Sequence, residues 1–359
     1  MYDFSRITGA IHEWLSSFMS SSAVMITEGV LIGIVFLLFF AVLGLILVIV
    51  ERKIAGFFQF RLGPNRVGPF GMFQTVADTL KLLLKELVGT SKADSFLYNV
   101  APYFLIIGVL MSLSVIPYGL GLTAYNINIG LFFVMAISSV GVIGILLAGW
   151  SSNNKYSMIG AMRSGAIIIS YELSLGLSSV LTMVLLAGSL NLNEIVLSQT
   201  SGWLLFKGHV PAIIAFVIFL ITGTAETNRV PFDLTEAESE LGAGYHSEYS
   251  GIKFAFFFLS EFVSMFIISA LAATIFLGGW LPIHIPGWEG FNNIMDYIPS
   301  PIWFFLKTSF VIFILMWFRW TFPRLRIDQM LTLEWKYLLP LSILNLILMA
   351  LMVTLGWIF

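Results

Sequence analysis

Long apolar segments alternate with shorter polar segments along the whole chain. A helix that crosses a hydrocarbon core ~30 Å thick needs about 20 predominantly apolar residues. Eight segments meet this requirement, and they are residues 27–50, 97–116, 130–150, 161–188, 209–226, 254–277, 301–320 and 338–357. The pattern therefore predicts an all-α, polytopic membrane protein with about eight transmembrane helices, in a single membrane domain that covers residues 1–359.

Two further segments have helical periodicity but too few apolar residues to cross a membrane. In the N-terminal segment 1–26, apolar side chains recur at helical spacing, and they are Ile7, Ile11, Leu15, Phe18 and Met19. In the loop 51–96, residues 71–87 have a polar face formed by Gln74, Asp78, Lys81 and Lys85. Both patterns predict amphipathic helices on the membrane surface or against a soluble partner. An ordinary solvated loop helix is the alternative for the second.

Basic residues are concentrated at the loops that follow the odd-numbered spans. These loops and the adjoining span ends hold 15 of the 18 Lys and Arg side chains, and the loops after the second and sixth spans hold none. Loops rich in Lys and Arg stay on the cytoplasmic side of a membrane. The distribution predicts that the odd-numbered loops are cytoplasmic and that both termini lie outside.

Composition supports a membrane protein and excludes several kinds of site. Of the residues, 58% are hydrophobic and 11% charged, against about 25% charged in an average soluble domain. The absence of cysteine excludes disulfides and thiolate-bound zinc or iron–sulfur centres. No two of the four histidines share a span, and no phosphate-binding or dinucleotide-binding glycine motif is present. We expect no metal site and no redox cofactor in this chain. We also expect no nucleic-acid partner, since no basic patch with interleaved aromatics occurs.

Ionisable residues inside the spans are the strongest functional candidates. Each costs roughly 2.5–3.5 kcal/mol at a helix centre, so it normally faces a cavity or a partner. Glu172 lies near the middle of the fourth span between Ser170 and Ser174, Glu261 lies in the sixth, and Glu226 ends the fifth. These carboxyl groups could exchange protons near neutral pH. For Glu172, the alternative is a neutral side chain that hydrogen-bonds a neighbouring helix.

The loop 226–253 is the most acidic segment and adjoins a basic boundary. Its acidic residues are Glu226, Asp233, Glu236, Glu238, Glu240 and Glu248. Arginines at the same boundary remain charged when buried and then meet carboxylates or ligand oxygens, or they extend to the headgroups. The loop suits a proton path, or it is a solvated acidic loop. Composition alone thus indicates a polytopic transporter or an energy-converting subunit.

Four stretches of sequence are specific enough to indicate a family. The longest is E-R-K-I-A-G-F-F-Q-F-R-L-G-P-N-R-V-G, followed by Q-x-x-A-D-x-x-K-x-x-x-K-E. The four stretches lie at Glu51–Gly68 with Gln74–Glu86, at Ala225–Leu241 with Tyr245–Gly251, at Ser170–Gly176 and at Pro323–Gln329. Together they resemble the quinone-site membrane subunit (the H subunit) of respiratory complex I, NADH-quinone oxidoreductase. The resemblance extends from about Val24 to the end of the chain.

The resemblance implies a subunit at the junction of the peripheral and membrane arms, in a bacterial cell inner membrane. Its cytoplasmic loops would form, with peripheral-arm subunits, a chamber in which quinone is reduced by a partner's iron–sulfur cluster. Iron–sulfur clusters and any flavin would reside in partner subunits, and quinone would be the substrate. Small membrane subunits and antiporter-like pumping subunits would be further partners. The electron donor, NADH or ferredoxin, and the quinone, ubiquinone or menaquinone, stay open.

The resemblance also implies roles for individual residues. The quinone chamber would involve Arg52, Arg61, Thr79, Arg229, Asp233, Glu236, Glu238 and Glu240. A proton path would involve Glu172, Glu226, Glu248 and Glu261. Structural ionic contacts would involve Glu51, Asp78, Lys81, Arg319, Arg324, Arg326 and Asp328.

The chain departs from the family pattern at two positions near this path. Ile167 stands where many relatives have Gln, and Phe262 stands where Tyr is common, so hydrogen-bonding capacity is lost at both. One alternative function is the related subunit of a membrane-bound, ferredoxin-linked hydrogenase. Another is a stand-alone secondary transporter, which would have broken helices and two related halves.

Overall fold

The computed structural model describes residues 5–90, 92–233, 242–284 and 287–357, which are helices joined by loops without a β-strand in these ranges. Seven described helices are long and apolar enough to cross a membrane: Ser21–Phe58, Ser95–Val115, Gly130–Ser151, His209–Glu226, Gly251–Phe276, Ser300–Thr321 and Ile327–Thr354. The prediction of an all-α, polytopic membrane protein is confirmed.

The predicted fourth span, 161–188, is helical but changes its winding. It consists of an α-helix at Lys155–Ser174, a π-helical turn at Leu175–Val180 and a further α-helix at Leu181–Ala187. It is not among the seven continuous spanning helices. The count of eight spans and the outside location of the termini therefore stay predictions. We number the spans from first to eighth with this segment as the fourth.

The first and eighth helices are longer than predicted. The first begins at Ser21 rather than at residue 27 and continues past residue 50 to Phe58, because the charged residues at its end are paired with other segments. At ~1.5 Å per residue its 38 residues extend about 57 Å, more than a ~30 Å hydrocarbon core. The eighth begins at Ile327 rather than at residue 338, and a π-helical turn at Leu333–Leu338 accommodates its charged residues.

The surface segments are shorter than predicted. The N-terminal segment forms a helix at Ser5–Ser16, and the predicted helix 71–87 extends over Gln74–Leu84. Val76, Leu80 and Leu83 of the latter are exposed, as an amphipathic helix on lipid or on a partner requires. Shorter helices occur at Pro69–Gly71, Leu192–Leu197, Leu204–Lys207, Gly244–His246 and Glu289–Asp296.

The sixth helix lies at the centre of the bundle. Its apolar stretch is 67% buried, against 22–50% for the other six spanning helices. It packs against the first, second and seventh spans. A Cβ atom on Gly44 of the first helix would lie 2.7 Å from Leu259 Cδ2, so these two helices are in close contact. This packing brings the C-terminal ends of the first and seventh helices to one place.

The third and fourth spans approach each other closely at Gly149, which yields a stability prediction. A Cβ atom at Gly149 would lie 2.2 Å from Ala161 Cβ and 2.8 Å from the Ser157 carbonyl oxygen. Gly149→Ala should lower the free energy of unfolding by about 1–3 kcal/mol through overpacking. The thermal unfolding midpoint in detergent would report the loss.

Gly141 on the same helix provides the matched control. A Cβ atom there would meet nothing within 4 Å. Alanine is the better helix former by about 1 kcal/mol, so Gly141→Ala should keep or raise the midpoint. Equal midpoints for the two variants would contradict the close approach at Gly149.

Candidate functional site

Glu51 joins three distant parts of the chain near the C-terminal ends of the first and seventh helices. Its carboxylate is 6% exposed, and it accepts one hydrogen bond from Arg229 on Oε2 and one from Arg319 on Oε1. Arg229 is 3% exposed, and its guanidinium carbon lies 4.3 Å from the centre of the Phe262 ring. Phe262 therefore makes a cation–π contact with the Arg229 guanidinium and forms no hydrogen bond with it.

The first helix is also tied to the surface helix by an ion pair. Arg52 Nη1 lies 2.5 Å from Asp78 Oδ2, and Gln74 Nε2 donates to Asp78 Oδ1 at 3.1 Å. Burial acts to raise the pKa of Asp78, but the hydrogen bonds from Arg52 and Gln74 and the charges of Arg52 and Lys81 outweigh it. The net pKa lies below its ordinary value, so Asp78 is ionised at neutral pH.

The predicted ionic residues after the seventh span are less closely held. Arg324 Nη2 lies 4.0 Å from Asp233 Oδ1, at the limit of an ion pair. Arg326 and Asp328 form no ion pair with a described residue. Asp328 lies in the first helical turn after Arg326, where a negative charge is favourable.

A cavity of about 850 Å³ lies beside the Glu51 cluster. It is lined by Glu51, Arg52, Ala55, Arg61, Leu62, Gly63, Pro64, Asn65, Arg66, Gln74, Arg319 and Trp320. Four of these are arginines and one is a glutamate, so the lining is cationic. The volume falls in the ~300–1,000 Å³ range of small-molecule sites. The cavity can therefore accept a ligand with electron-rich oxygen atoms.

The loop that carries Arg61 is fixed by its backbone. The Arg61 amide donates to the Gly56 carbonyl at 2.9 Å, which reverses the chain after the first helix. Gly71 has a φ of 76°, and a Cβ atom there would lie 2.1 Å from the Pro64 carbonyl oxygen. Only glycine fits this position.

The structure places only part of the predicted chamber set around this cavity. Arg52 and Arg61 line it, and Arg229 contacts it indirectly through Glu51. Thr79 and Asp233 are not among the lining residues, and the Thr79 hydroxyl donates to the Thr75 carbonyl of its own helix at 2.9 Å. The predicted residues Glu236, Glu238 and Glu240 lie outside the described residues.

A second, smaller cavity of about 80 Å³ holds two of the predicted proton-path carboxyl groups. Glu226 and Glu261 both line it, together with Ser138, Asn228 and Ser264. Ser138 lies within hydrogen-bonding reach of Glu226, whose Oε2 has no hydrogen-bond partner among the described groups. A cavity of this volume has room for several water molecules.

The other two proton-path residues do not line this cavity. Glu172 is half-buried, and its charge acts on Glu226 from the fourth span. Glu248 lies in the loop between the fifth and sixth spans, where its Oε1 accepts a hydrogen bond from Asn154 Nδ2 at 2.6 Å. The structure therefore brings together Glu226 and Glu261, keeps Glu172 within electrostatic reach, and leaves Glu248 apart.

A single turn connects the two cavities. Glu226 is the last residue of the fifth helix, and Arg229 follows three positions later. The Asn228 amide donates to the Ala225 carbonyl at 3.1 Å, and Asn228 has a φ of 50°, a conformation that asparagine tolerates better than most residues. The carboxyl cavity and the cationic cluster are thus one helical turn apart.

Sequence reasoning missed two buried ionisable residues. Lys307 in the seventh helix is 3% exposed and donates to the Leu281 carbonyl at 2.7 Å. Glu334 in the eighth helix is 1% exposed and accepts a hydrogen bond from Ser174. Lys307 was within a predicted span and could have been found by its charge. Glu334 was outside the predicted eighth span, which was expected to begin at residue 338.

Within the described ranges, no three acidic or histidine side chains are placed to share a metal ion.

Comparisons with a family model and with known proteins indicate the same protein family. A family model described as NADH dehydrogenase matches residues 31–350. The chain is 58% identical over 356 residues to a protein of Bacteroides fragilis that is named as the H subunit of NADH-quinone oxidoreductase, with 99% of each chain covered. It is 58% identical over 353 residues to a protein of that name from Phocaeicola vulgatus, with 98% of each chain covered. The identity is 48% over 336 residues for one from Bacillus cytotoxicus, covering 93% of this chain and 97% of the relative.

His246, buried in the loop between the fifth and sixth spans, provides a pH prediction. Burial lowers the pKa of His246 to about 4, against ~6.5 in an unfolded chain. Between these values the unfolded chain binds more protons, so stability is complete above pH ~6.5 and falls as the pH drops toward 4. The free energy of unfolding that is lost through protonation of His246 should reach about 3 kcal/mol.

The measurement is the thermal unfolding midpoint as a function of pH. His246→Phe keeps the ring contacts with Tyr245 and Phe254 and removes the titrating group, so its midpoint should depend less on pH in this window. His12→Phe is the control and should follow the wild type, because the contact of His12 with Glu28 is exposed and contributes little to stability. Parallel curves for wild type and His246→Phe would refute the assignment.

Proposed function

The chain belongs to the NADH dehydrogenase family, and from that premise we propose that it forms the membrane part of the quinone-reduction chamber of a proton-pumping complex I. Its relatives are named as the H subunit of NADH-quinone oxidoreductase, so it is a membrane subunit of a multi-subunit complex. The observation that carries the proposal is the arginine-lined cavity of about 850 Å³ beside the Glu51 cluster. We further infer a bacterial inner-membrane location and NADH as the electron donor.

The cavity supplies binding and electrostatics rather than electrons. Reduction of a quinone to a quinol adds two electrons and two protons, and negative charge develops on the quinone oxygens when electrons arrive first. Guanidinium groups already in place stabilise such charge without reorganisation. Arg61 and Arg66 on the loop are suited to this role, because neither forms an ion pair with a described carboxylate. The electrons would come from an iron–sulfur cluster of a peripheral-arm subunit.

The carboxyl cavity would carry protons between the chamber and the membrane interior. Glu226 and Glu261 face common space that can hold water, and Glu172 lies within electrostatic reach of Glu226. Charge that appears in the cationic cavity acts on Arg229, which is one turn from Glu226. Coupling of this kind would pass to the small membrane subunits and the antiporter-like pumping subunits. Thr79, Asp233, Glu236, Glu238, Glu240 and Glu248 remain proposed members of the chamber and path.

Glu172→Gln tests the proton route. The amide keeps the size and polarity of the side chain but cannot exchange a proton with Glu226. Coupled quinone reduction and proton translocation by the assembled complex should fall about tenfold or more. Proton uptake and NADH oxidation measured in proteoliposomes would show this.

Glu289→Gln, at an exposed position in the loop after the sixth span, is the control and should behave as wild type. Normal turnover and pumping in Glu172→Gln would reassign Glu172 to a hydrogen bond between helices.

Arg61→Met tests the quinone chamber. The change removes one cation from the cavity lining without adding volume, so quinone reductase activity should fall by about tenfold or more. Electron transfer from NADH to a soluble artificial acceptor should continue, since this chain affects only the last step. The ratio of the two rates in the purified complex is the measurement.

Lys155→Met is the control for loss of a cation at the cytoplasmic boundary, because Lys155 is exposed and does not line the cavity. If both reactions fell together in Arg61→Met, the defect would be in assembly. The chamber assignment would then lose its support.

A further inference from the structure

Glu334 is a deeply buried carboxyl group that the proposed chamber and proton route do not use. It lies in the π-helical turn Leu333–Leu338 of the eighth helix and is 1% exposed. Ser174 of the fourth span donates a hydrogen bond to its Oε1, and its Oε2 has no hydrogen-bond partner among the described groups. One carboxyl oxygen therefore accepts a hydrogen bond, and the other can take part in a further one.

The groups around Glu334 are neutral. Tyr171 donates its hydroxyl proton to the Met330 carbonyl at 3.0 Å, and Trp335 Nε1 donates to Ser170 Oγ at 3.3 Å. Ile167, Tyr171, Met330 and Leu338 belong to one buried apolar cluster. No described Lys, Arg or His side chain forms an ion pair with Glu334, and Lys336, two positions along, is exposed. A buried carboxylate without a cation is costly, whereas the neutral acid is tolerated.

Two irregular helical turns adjoin this pair of residues. The π-helical turn of the fourth span begins at Leu175, directly after Ser174, and the π-helical turn of the eighth span contains Glu334 itself. The two turns belong to segments that pack against each other. Single π-helical turns are rare and occur frequently at functional sites. This second observation is independent of the burial of the carboxyl group.

The site is separate from the proposed proton route. Successive residues of a helix are rotated by about 100°, so Glu172 and Ser174 point about 160° apart around the fourth span. Glu172 acts on Glu226, which lies on one side of this helix, and Ser174 meets Glu334 on the other. Both groups nevertheless belong to one helical turn, so a change of charge at one is felt at the other.

We propose that Glu334 and Ser174 form a second proton-exchange site of this chain, on the face of the fourth span opposite Glu172. The inference rests on the proposed function, since turnover of the complex would drive the exchange. In the ionised state Ser174 donates its hydroxyl proton to Glu334 Oε1. When Glu334 takes a proton from a hydronium ion, which becomes water, its new O–H donates to Ser174 Oγ, and the serine proton turns to a backbone carbonyl. One O–H bond forms on the carboxyl group, one breaks in the water-derived donor, and no electrons move.

The competing role for Glu334 is a fixed hydrogen bond that holds two helices together. Glu334→Gln separates the roles, because the amide oxygen still accepts a hydrogen bond from Ser174 but the side chain cannot change charge. Ser174→Ala makes the complementary change, since it removes the hydroxyl group and leaves the carboxyl group in place. A purely structural role predicts that Glu334→Gln has no spectroscopic consequence.

The experiment is redox-induced infrared difference spectroscopy of the assembled complex in proteoliposomes, with NADH as reductant and ubiquinone as acceptor. Wild type should show a band in the carbonyl region of protonated carboxylic acids that is lost in Glu334→Gln and shifted in Ser174→Ala. Coincident spectra for wild type and Glu334→Gln would overturn the proposal. If Glu334→Gln failed to assemble, the absence of any shift in Ser174→Ala would overturn it instead.

Glu172→Gln in the same series keeps this test distinct from that of the proposed function. Its quinone reductase rate reports on the route through Glu226, and it should retain the Glu334 band. Loss of the Glu334 band only in Glu334→Gln supports the second site even if Glu172→Gln turns over normally. A normal Glu334→Gln spectrum beside an inactive Glu172→Gln removes the second site and leaves the proposed function standing.

Discussion

The ionic contact of Glu51 with Arg229 and Arg319 fixes the end of the bundle at which the first and seventh helices terminate. It joins Glu51 to residues 178 and 268 positions away in the chain. Glu51 and Arg229 are too buried to be stabilised by water, whereas Arg319 is partly exposed. Removing one partner of such a pair typically costs about 3–5 kcal/mol, because the other charge is left uncompensated. The continuation of the first helix to Phe58 and the position of the arginine-lined cavity both depend on this contact.

Opposite charges are sorted into two neighbouring compartments. The larger one has an excess of arginine and suits a ligand that gains negative charge, whereas the smaller one contains carboxyl groups and space for water. Arg229 contacts the first through Glu51, Glu226 lines the second, and both residues lie at one end of the fifth helix. An electrostatic change in one compartment therefore reaches the other over a few ångströms of protein, where the dielectric response is weaker than in water.

Hydrophobic patterning predicted the ends of a span well where its ionisable residues stand at those ends. The fifth helix has the predicted ends, His209 and Glu226. The predicted helix ends were wrong where ionisable residues lie inside helices, because Arg52 pairs with Asp78 and Glu334 accepts a hydrogen bond from Ser174, both partners distant in sequence. The motifs predicted functional roles for Arg52, Arg61 and Glu226, which line the two cavities, and structural ionic contacts for Glu51 and Arg319. Local sequence did not indicate that Glu51 pairs with Arg229 as well as with Arg319. The π-helical turns also depend on packing between helices and were not predictable from periodicity.

The turn between Glu226 and Arg229 restricts how this sequence can change during evolution. Most loops accept insertions and deletions, since the residues at their two ends need not keep a fixed rotation relative to each other. Here one added residue would rotate Arg229 by about 100° relative to the fifth helix and turn it away from Glu51, or turn Glu226 away from Ser138. We therefore expect this turn to have a constant length among functional homologues, even where its individual side chains are exchanged.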